Sequence, residues 1–298
     1  MPRVTIGLPV HNAGKYLELA LRSIYAQSYK DWELIVVDDG STDDGVDLVR
    51  QLDDGRVRIL GDGKRRGLAT RLNEIAYAAN GYYLARMDAD DLMHPLRLEE
   101  QVAFLDAHPG IDVVGCALLF LDRELRPAAI QRNPEAHEQI CADALRAIRM
   151  AHATMVARTA WFRAHPYNER NLRCEDWQLL YDSRSQSRYA NLQDPLYFYR
   201  VFESFSIRKY CARKLQNAHL CWDLPPSECS RSRALGLTLR NYFDMGVYTL
   251  ARAAGQHDRL IRRRGEAISA AEAEDFAEIL RTVRSCPLPI ANPPSISR

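Results

Sequence analysis

The chain has 298 residues, 47% of them apolar and 27% charged, with a formal net charge of +1. That composition is ordinary for a water-soluble globular protein and carries no overall polyanion-binding signature, so no nucleic-acid partner is expected. Seven cysteines include no Cys-x-x-Cys pair and no zinc spacing, and no window of the sequence has the apolar length of a membrane span, so free thiols in a reducing cytosol are expected.

In chain order, "RVTIGLPV" is a nearly continuous apolar run, the pattern of a strand covered on both faces. "NAGKYLELALRSIYAQS" follows with Leu17, Ala20, Leu21, Ile24 and Tyr25 at helical spacing. "WELIVV" is a second buried strand, ending in Asp38 and Asp39. The next helix is expected behind Ser41 or Thr42 as N-cap, with Asp43 and Asp44 at the positive end of its dipole. "RVRIL" is a third strand, and "GLATRLNEIAYAANG" a helix with Leu68, Leu72, Ile75 and Ala79 on one stripe and Gly81 as C-terminal cap. "YYLARM" is the fourth strand, and it runs into Asp88, Asp90 and Asp91.

This alternation predicts a mostly parallel, doubly wound α/β sheet, whose ligands bind beyond the carboxyl ends of its strands. Both acidic groups follow strand ends and so share one rim. An Asp-x-Asp triplet alone is usually a solvated turn; at the end of an apolar strand, three carboxylates make a hard-oxygen site suited to Mg²⁺ or Mn²⁺. Such an ion completes its shell with water and phosphates, which implies a nucleoside diphosphate or another pyrophosphate. Arg71, at the edge of its helix's apolar stripe, needs a substrate phosphate or a rim aspartate, or else lays its stem over the core edge. Neither Gly-x-Gly-x-x-Gly after the first strand nor a Gly-x-x-x-x-Gly-Lys-Ser/Thr loop is present, which argues against nicotinamide dehydrogenases and P-loop enzymes.

Together "VTIGLPVHN", "LRSIYAQSYKDWELIVVDDGSTD", "GLATRLNEIAYAANGYYLARMDADD" and "CEDWQLL" resemble the family 2 glycosyltransferases of GT-A fold, over roughly residues 2 to 205. The resemblance implies transfer of a sugar from a nucleotide-diphosphate donor, a UDP-sugar in particular, to an acceptor hydroxyl, with inversion and a divalent cation (Mn²⁺ or Mg²⁺). It implies that Pro9 and His11 border the base, His11 standing where the family often has tyrosine. Asp39 bonds the base, Arg71 approaches base or phosphate, Asp88 holds the ribose, Asp90 holds the metal, and Asp91 supports them. In Glu175-Asp176 the aspartate is the catalytic base, while Glu175, Arg200 and Ser204 approach the diphosphate or acceptor. The acceptor is expected to be a saccharide or lipid-linked saccharide, in surface polysaccharide or glycoconjugate synthesis. Read without the family, "RCEDWQLLYDSR" is an amphipathic helix start with favourable first-turn acids.

The remaining chain carries a helix with Pro95 in its first turn, a long strand "IDVVGCALLF", a structural His152, and "GKRRG" as a solvated turn. Residues 1–207 are read as the glycosyltransferase domain, 208–284 as a helical appendage and 285–298 as a flexible Pro-rich tail. The second long helix is amphipathic through Leu235, Leu239, Tyr242, Phe243 and Val247, and with Arg259, Arg262, Arg263 and Arg264 it offers a peripheral contact with an anionic membrane. From another functional class, the alternative is a nucleotide-binding partner subunit that has lost catalysis; the presence of Asp39, Asp90 and Asp176 argues against it.

Overall fold

The computed structural model describes residues 1–171 and 173–290, with the side chains of Glu203 and Ser204 outside the described set. Among the described residues, nine strands form one sheet: β1 (Val4–Val10), β2 (Trp32–Asp38), β3 (Val57–Leu60), β4 (Tyr83–Arg86), β5 (Leu92–Met93), β6 (Val113–Leu121), β7 (Pro127–Gln131), β8 (Val156–Arg158) and β9 (Tyr189–Tyr199). The helices around it are α1 (Gly14–Tyr25), α2 (Gly45–Arg50), α3 (Leu68–Ala78), α4 (Arg97–Ala107), α5 (His137–Ile140), α6 (Thr159–Ala164), α7 (Glu175–Ser183), α8 (Val201–Ser204), α9 (Ile207–Asp223), α10 (Arg231–Ala253), α11 (His257–Arg262) and α12 (Ala270–Ser285).

The order is β3-β2-β1-β4-β8-β6-β9-β5, with β7 on β6. The first four strands are parallel, as their alternation with helices requires. Beyond β4 the sheet is mixed: β8 is antiparallel to β4 and β6, β9 is parallel to β6, and β5 is antiparallel to β9. The mostly parallel character expected of the sheet is therefore concentrated in β1–β4.

Alternate side chains of each central strand face opposite layers. Leu34 and Val36 of β2 pack with Leu17, Leu21 and Ile24 of α1 and Leu98 of α4. Ile35 and Val37 pack with Leu72 and Ile75 of α3, Trp161 of α6 and Leu179 of α7. Burial on both faces is why β1 and β2 read as unbroken apolar runs. Truncating one of these residues, Leu72→Ala for instance, removes contacts worth roughly 2–5 kcal/mol.

Local expectations differ at three ends. Ser41 and Thr42 do not cap α2, which starts at Gly45 behind Asp44. Their polar groups bind the β1–α1 loop instead: the Asn12 N–H donates to Ser41 Oγ at 3.1 Å and the Thr42 N–H to Asn12 Oδ1 at 2.8 Å. Gly81 is not the cap of α3, which ends at Ala78 before an extended Ala79. It is small because β1 passes against it, a Cβ there falling 2.3 Å from the Thr5 nitrogen. Pro95 precedes α4 instead of lying in its first turn.

The helical region divides. Helices α9 and α10 pack on each other, with Cys221, Ala234 and Leu237 between them. Helix α12 returns to the sheet, where Leu280 and Val283 join Leu92, Leu119 and Phe198. The segment read as a flexible tail runs along the body up to residue 290, the Asp53 N–H donating to the Pro289 carbonyl at 2.7 Å; residues 291–298 lie outside the described set. Among the described residues no helix is long and apolar enough to cross a membrane, and all seven cysteines are free.

Candidate active site

Register places the site. Val10 of β1 lies opposite Asp38 of β2, and Gly7 of β1 opposite Arg86 of β4, so both acidic segments leave the sheet at its carboxyl edge beside "PVHN". Pro9 and His11 border this edge, and His11 Nδ1 lies 2.9 Å from the Asp39 carbonyl oxygen.

Asp39 is 7% exposed and heavily bonded. Its Oδ1 accepts from the Arg66 N–H at 2.6 Å and from Arg71 Nε at 3.0 Å, and its Oδ2 from the Gly67 N–H at 3.1 Å. Gly67 adopts φ +90°, a conformation that favours glycine and lets consecutive N–H groups face one carboxylate. The turn "GKRRG" is thus more than a solvated loop, because its backbone orients Asp39.

Arg71 is 1% exposed, and every one of its side-chain nitrogens is used. Besides Asp39 it donates to Asp62 at 2.8 Å, to Glu74 at 2.8 Å and to the Lys64 carbonyl. Burial opposes its charge, yet Asp62, Glu74 and Asp39 outweigh it and raise its pKa. Of the partners open to Arg71 in the sequence, the rim aspartate is realised. Arg71 holds Asp39 in place through this bond.

Beyond β4, Asp88, Asp90 and Asp91 bring carboxylate oxygens within 4.8 Å of one another. Arg86 grips Asp88 with two N–H groups, at 2.6 and 2.7 Å. The Arg200 N–H donates to Asp91 Oδ1 at 3.0 Å, while Asp91 Oδ2 is enclosed with no hydrogen-bond partner among the described residues. Burial, and then Asp88, push Asp90 up to about 6, with Arg86 and Arg200 opposing the shift without cancelling it. Burial and both neighbours raise Asp91 well above the carboxylate range. Crowded hard-oxygen donors, an enclosed oxygen without a donor and uncompensated negative charge fit a divalent cation.

Opposite stand Glu175 and Asp176 at the N-terminus of α7. Trp177 fixes this end by donating its indole N–H to the Ala144 carbonyl at 2.7 Å, and Leu179 and Leu180 bury the following turn. Asp176 Oδ1 accepts the Trp177 N–H at 2.7 Å. Glu175 Oε2 is buried without a partner among the described residues, and burial followed by Asp176 pushes Glu175 up to about 7. Its field also includes Arg86 and Asp88, so the α7 acids and the β4 cluster face a common interior. His152 is structural, as its isolation suggested: its Nε2 lies 2.7 Å from the Tyr167 hydroxyl, and burial, then Arg86, keep it neutral.

Sequence reasoning missed Arg86 and Tyr197. Arg86 is 5% exposed inside an otherwise apolar strand, and a buried guanidinium there demands an anion, a signal available in "YLARM". The Tyr197 hydroxyl accepts the Asp88 N–H at 3.1 Å, a contact across 109 residues that no local pattern marks. Ser204 lies outside the described side chains.

Residues 5–187 match the family described as Glycosyl transferase family 2. The chain belongs to that family. It is 33% identical over 229 residues, 74% of this chain and 81% of the relative, to "Putative glycosyltransferase EpsE" of Bacillus subtilis. Among solved structures it is similar to S. aureus TarS 1-349 in complex with UDP, at TM-score 0.60 and 18% identity, covering 94% of this chain and 80% of that one. It is equally similar to the mannosyltransferase PcManGT of Pyrobaculum calidifontis in complex with GDP-Man and Mn²⁺, at TM-score 0.60 and 21% identity, covering 96% and 86%. The expected GT-A fold is the one these structures share with this chain, whose helical C-terminal region is also present.

Proposed function

We propose that this family 2 glycosyltransferase moves a sugar, with inversion, from a UDP-sugar to an acceptor hydroxyl in surface polysaccharide or glycoconjugate synthesis. The observation that carries the reading is the convergence of the β4 carboxylates and the α7 acids on one cleft, with Asp39 held rigidly at its edge. Pro9, His11 and Asp39 form the base end, and Asp88, steered by Arg86, meets the ribose. Asp90, beside Asp91, would hold Mn²⁺ or Mg²⁺. When bound, the cation supplies positive charge against the departing diphosphate.

Asp176 is the proposed base. It takes the acceptor hydroxyl proton as the oxygen attacks the anomeric carbon. The bond from that carbon to the diphosphate oxygen breaks, and its electron pair leaves with the nucleoside diphosphate. A single displacement on one face inverts the centre. A second assignment, Glu175 as base, is favoured by its buried, unpartnered Oε2 and a pKa near operating pH. Arg200, whose backbone holds Asp91, and Ser204 are proposed on the diphosphate side.

The acceptor is proposed to be a saccharide or lipid-linked saccharide, with α10 lying on an anionic membrane. In support, α10 leaves Leu239, Phe243 and Leu250 61%, 70% and 73% exposed along one stripe. We retain 1–207 as the transferase unit and 208–284 as an appendage that serves it.

The test is donor hydrolysis and binding over a panel of nucleotide sugars, with Mn²⁺, Mg²⁺ or chelator, for wild type and Asp176→Asn. One donor turning over only with metal, with binding spared and turnover lost in Asp176→Asn, is the expected result. Metal-dependent binding with no turnover for any acceptor would favour the non-catalytic partner subunit. No nucleotide binding at all contradicts the reading.

A further inference from the structure

We propose that the acceptor of this transferase carries a phosphate group, received by the cavity that opens between the start of α7, the end of β9 and α9. The inference rests on the transferase reading and adds the acceptor's chemistry to it.

The cavity has a volume of about 260 Å³ and is lined by Arg173, Lys209, Arg213 and Arg264, with Glu175 its sole carboxylate among the described residues. These four cations come from three separate stretches of chain: the loop before α7, one face of α9, and the segment after α11. Elsewhere in the cleft arginines are matched, Arg71 by Asp39 and Arg86 by Asp88. Here, among the described residues, none of the four has a carboxylate within the 4.0 Å of an ion pair. The one ring contact recorded for them places the Arg213 guanidinium 5.9 Å from the centre of Tyr210. Lys209 and Arg213 are like charges at i and i+4 on one helix, an arrangement that weakens the helix unless an anion joins them. Four converging cations around one hollow repel one another, and a doubly charged phosphate relieves that repulsion in a way that a neutral sugar cannot.

Position separates this anion from the donor's diphosphate. The proposed metal and diphosphate site is at Asp88, Asp90 and Asp91, whereas the cavity's lining includes Glu175 and none of these three aspartates. Tyr199, itself part of the cavity's lining, is close enough to feel Asp91, Asp88 and Arg264. An acceptor hydroxyl beside the α7 acids therefore has its phosphate in the cationic hollow. Arg264, which the sequence groups with a surface run, belongs here instead.

The experiment measures binding of octyl phosphate, octyl glucoside and inorganic phosphate to the full chain already saturated with UDP and Mn²⁺. Wild type is expected to bind octyl phosphate, with octyl glucoside at least tenfold weaker and inorganic phosphate competing. Lys209→Ala/Arg213→Ala, and independently Arg264→Gln, should weaken octyl phosphate tenfold or more while UDP affinity stays within twofold. These side chains are exposed, so the variants should fold, which circular dichroism checks. The inference is overturned if octyl glucoside binds as well as octyl phosphate, or if inorganic phosphate does not compete, since the chain and not the anion then carries binding. It is equally overturned if the substitutions weaken UDP and spare octyl phosphate, which would give these cations to the donor. Failure of wild type to bind UDP with any metal overturns the transferase reading, and the inference with it.

Discussion

At the β2 edge of the cleft the charged groups are bonded to one another: Arg71 answers Asp39, Asp62 and Glu74, Arg66 shares Asp62, and Asp39 has hydrogen bonds on both oxygens. At the α9 edge Arg173, Lys209, Arg213 and Arg264 surround a hollow with one carboxylate among them. The first edge is finished before any ligand arrives; the second needs one. A rigid wall suits the nucleotide, a constant feature of a donor. A wall left incomplete suits an acceptor that supplies the missing charge. The β4 cluster lies between the two in character, with Asp88 matched by Arg86 and Asp91 Oδ2 still unmatched.

The largest effect that separates the edges is catalytic. Asp176→Asn should lower turnover by roughly 10²–10⁴-fold without weakening donor binding, the range that a general base supplies. Steady-state rates for Asp176→Asn and Glu175→Gln side by side decide which α7 acid takes the proton; if only the glutamate substitution abolishes turnover, the second assignment replaces the first. Next, Arg71→Met should destabilise the protein by about 3–5 kcal/mol, because it leaves Asp39 buried without its charge partner. Denaturant unfolding measures this, and a loss below 1 kcal/mol would show that the matched edge is not a structural network.

A third effect follows pH. Glu175 has its folded pKa raised to about 7 from an ordinary 4.5, so its protonated form is the favoured one in the fold. Its contribution to stability is fully present below pH 4.5 and is lost as pH rises through 7. Glu175→Gln should accordingly stabilise the protein at pH 8, by at most about 3 kcal/mol, and change little at pH 4. Thermal melts at the two pH values check the sign. The smallest effect is expected at the exposed pair Arg132–Glu266, 2.5 Å apart with side chains 32% and 63% exposed. Arg132→Ala should cost less than about 1 kcal/mol, against the loss at Arg71.

The two edges also differ in how far they could be read from sequence. Asp39, Asp88 and Asp90 announce themselves because each follows an apolar strand within a few residues, and local periodicity reports strand ends directly. Arg71 was legible as a partly buried cation, and the structure chooses Asp39 from its possible partners. The α7 acids were legible only through a family resemblance, since their pattern alone is that of any helix start. The burial that lifts Glu175 comes from elements far along the chain. The cationic hollow was not legible at all: Arg173 and Arg264 are 91 positions apart by their numbering, and only the packing of α9 and α11 beside α7 unites them. The same distinction governs the fold. Alternating strands and helices declare the parallel half, while β8 and β5, only three and two residues long, are set by long-range pairing that no periodicity encodes.

The central claim is that the carboxylates beyond β4 form a metal-dependent nucleoside diphosphate site. Calorimetric titration of UDP into wild type and Asp90→Asn, each with Mn²⁺ and with chelator, tests it most directly. The account predicts binding by the wild type with Mn²⁺, and a loss of tenfold or more on chelation or in Asp90→Asn. Equal affinity with and without metal, unchanged by the substitution, would contradict it.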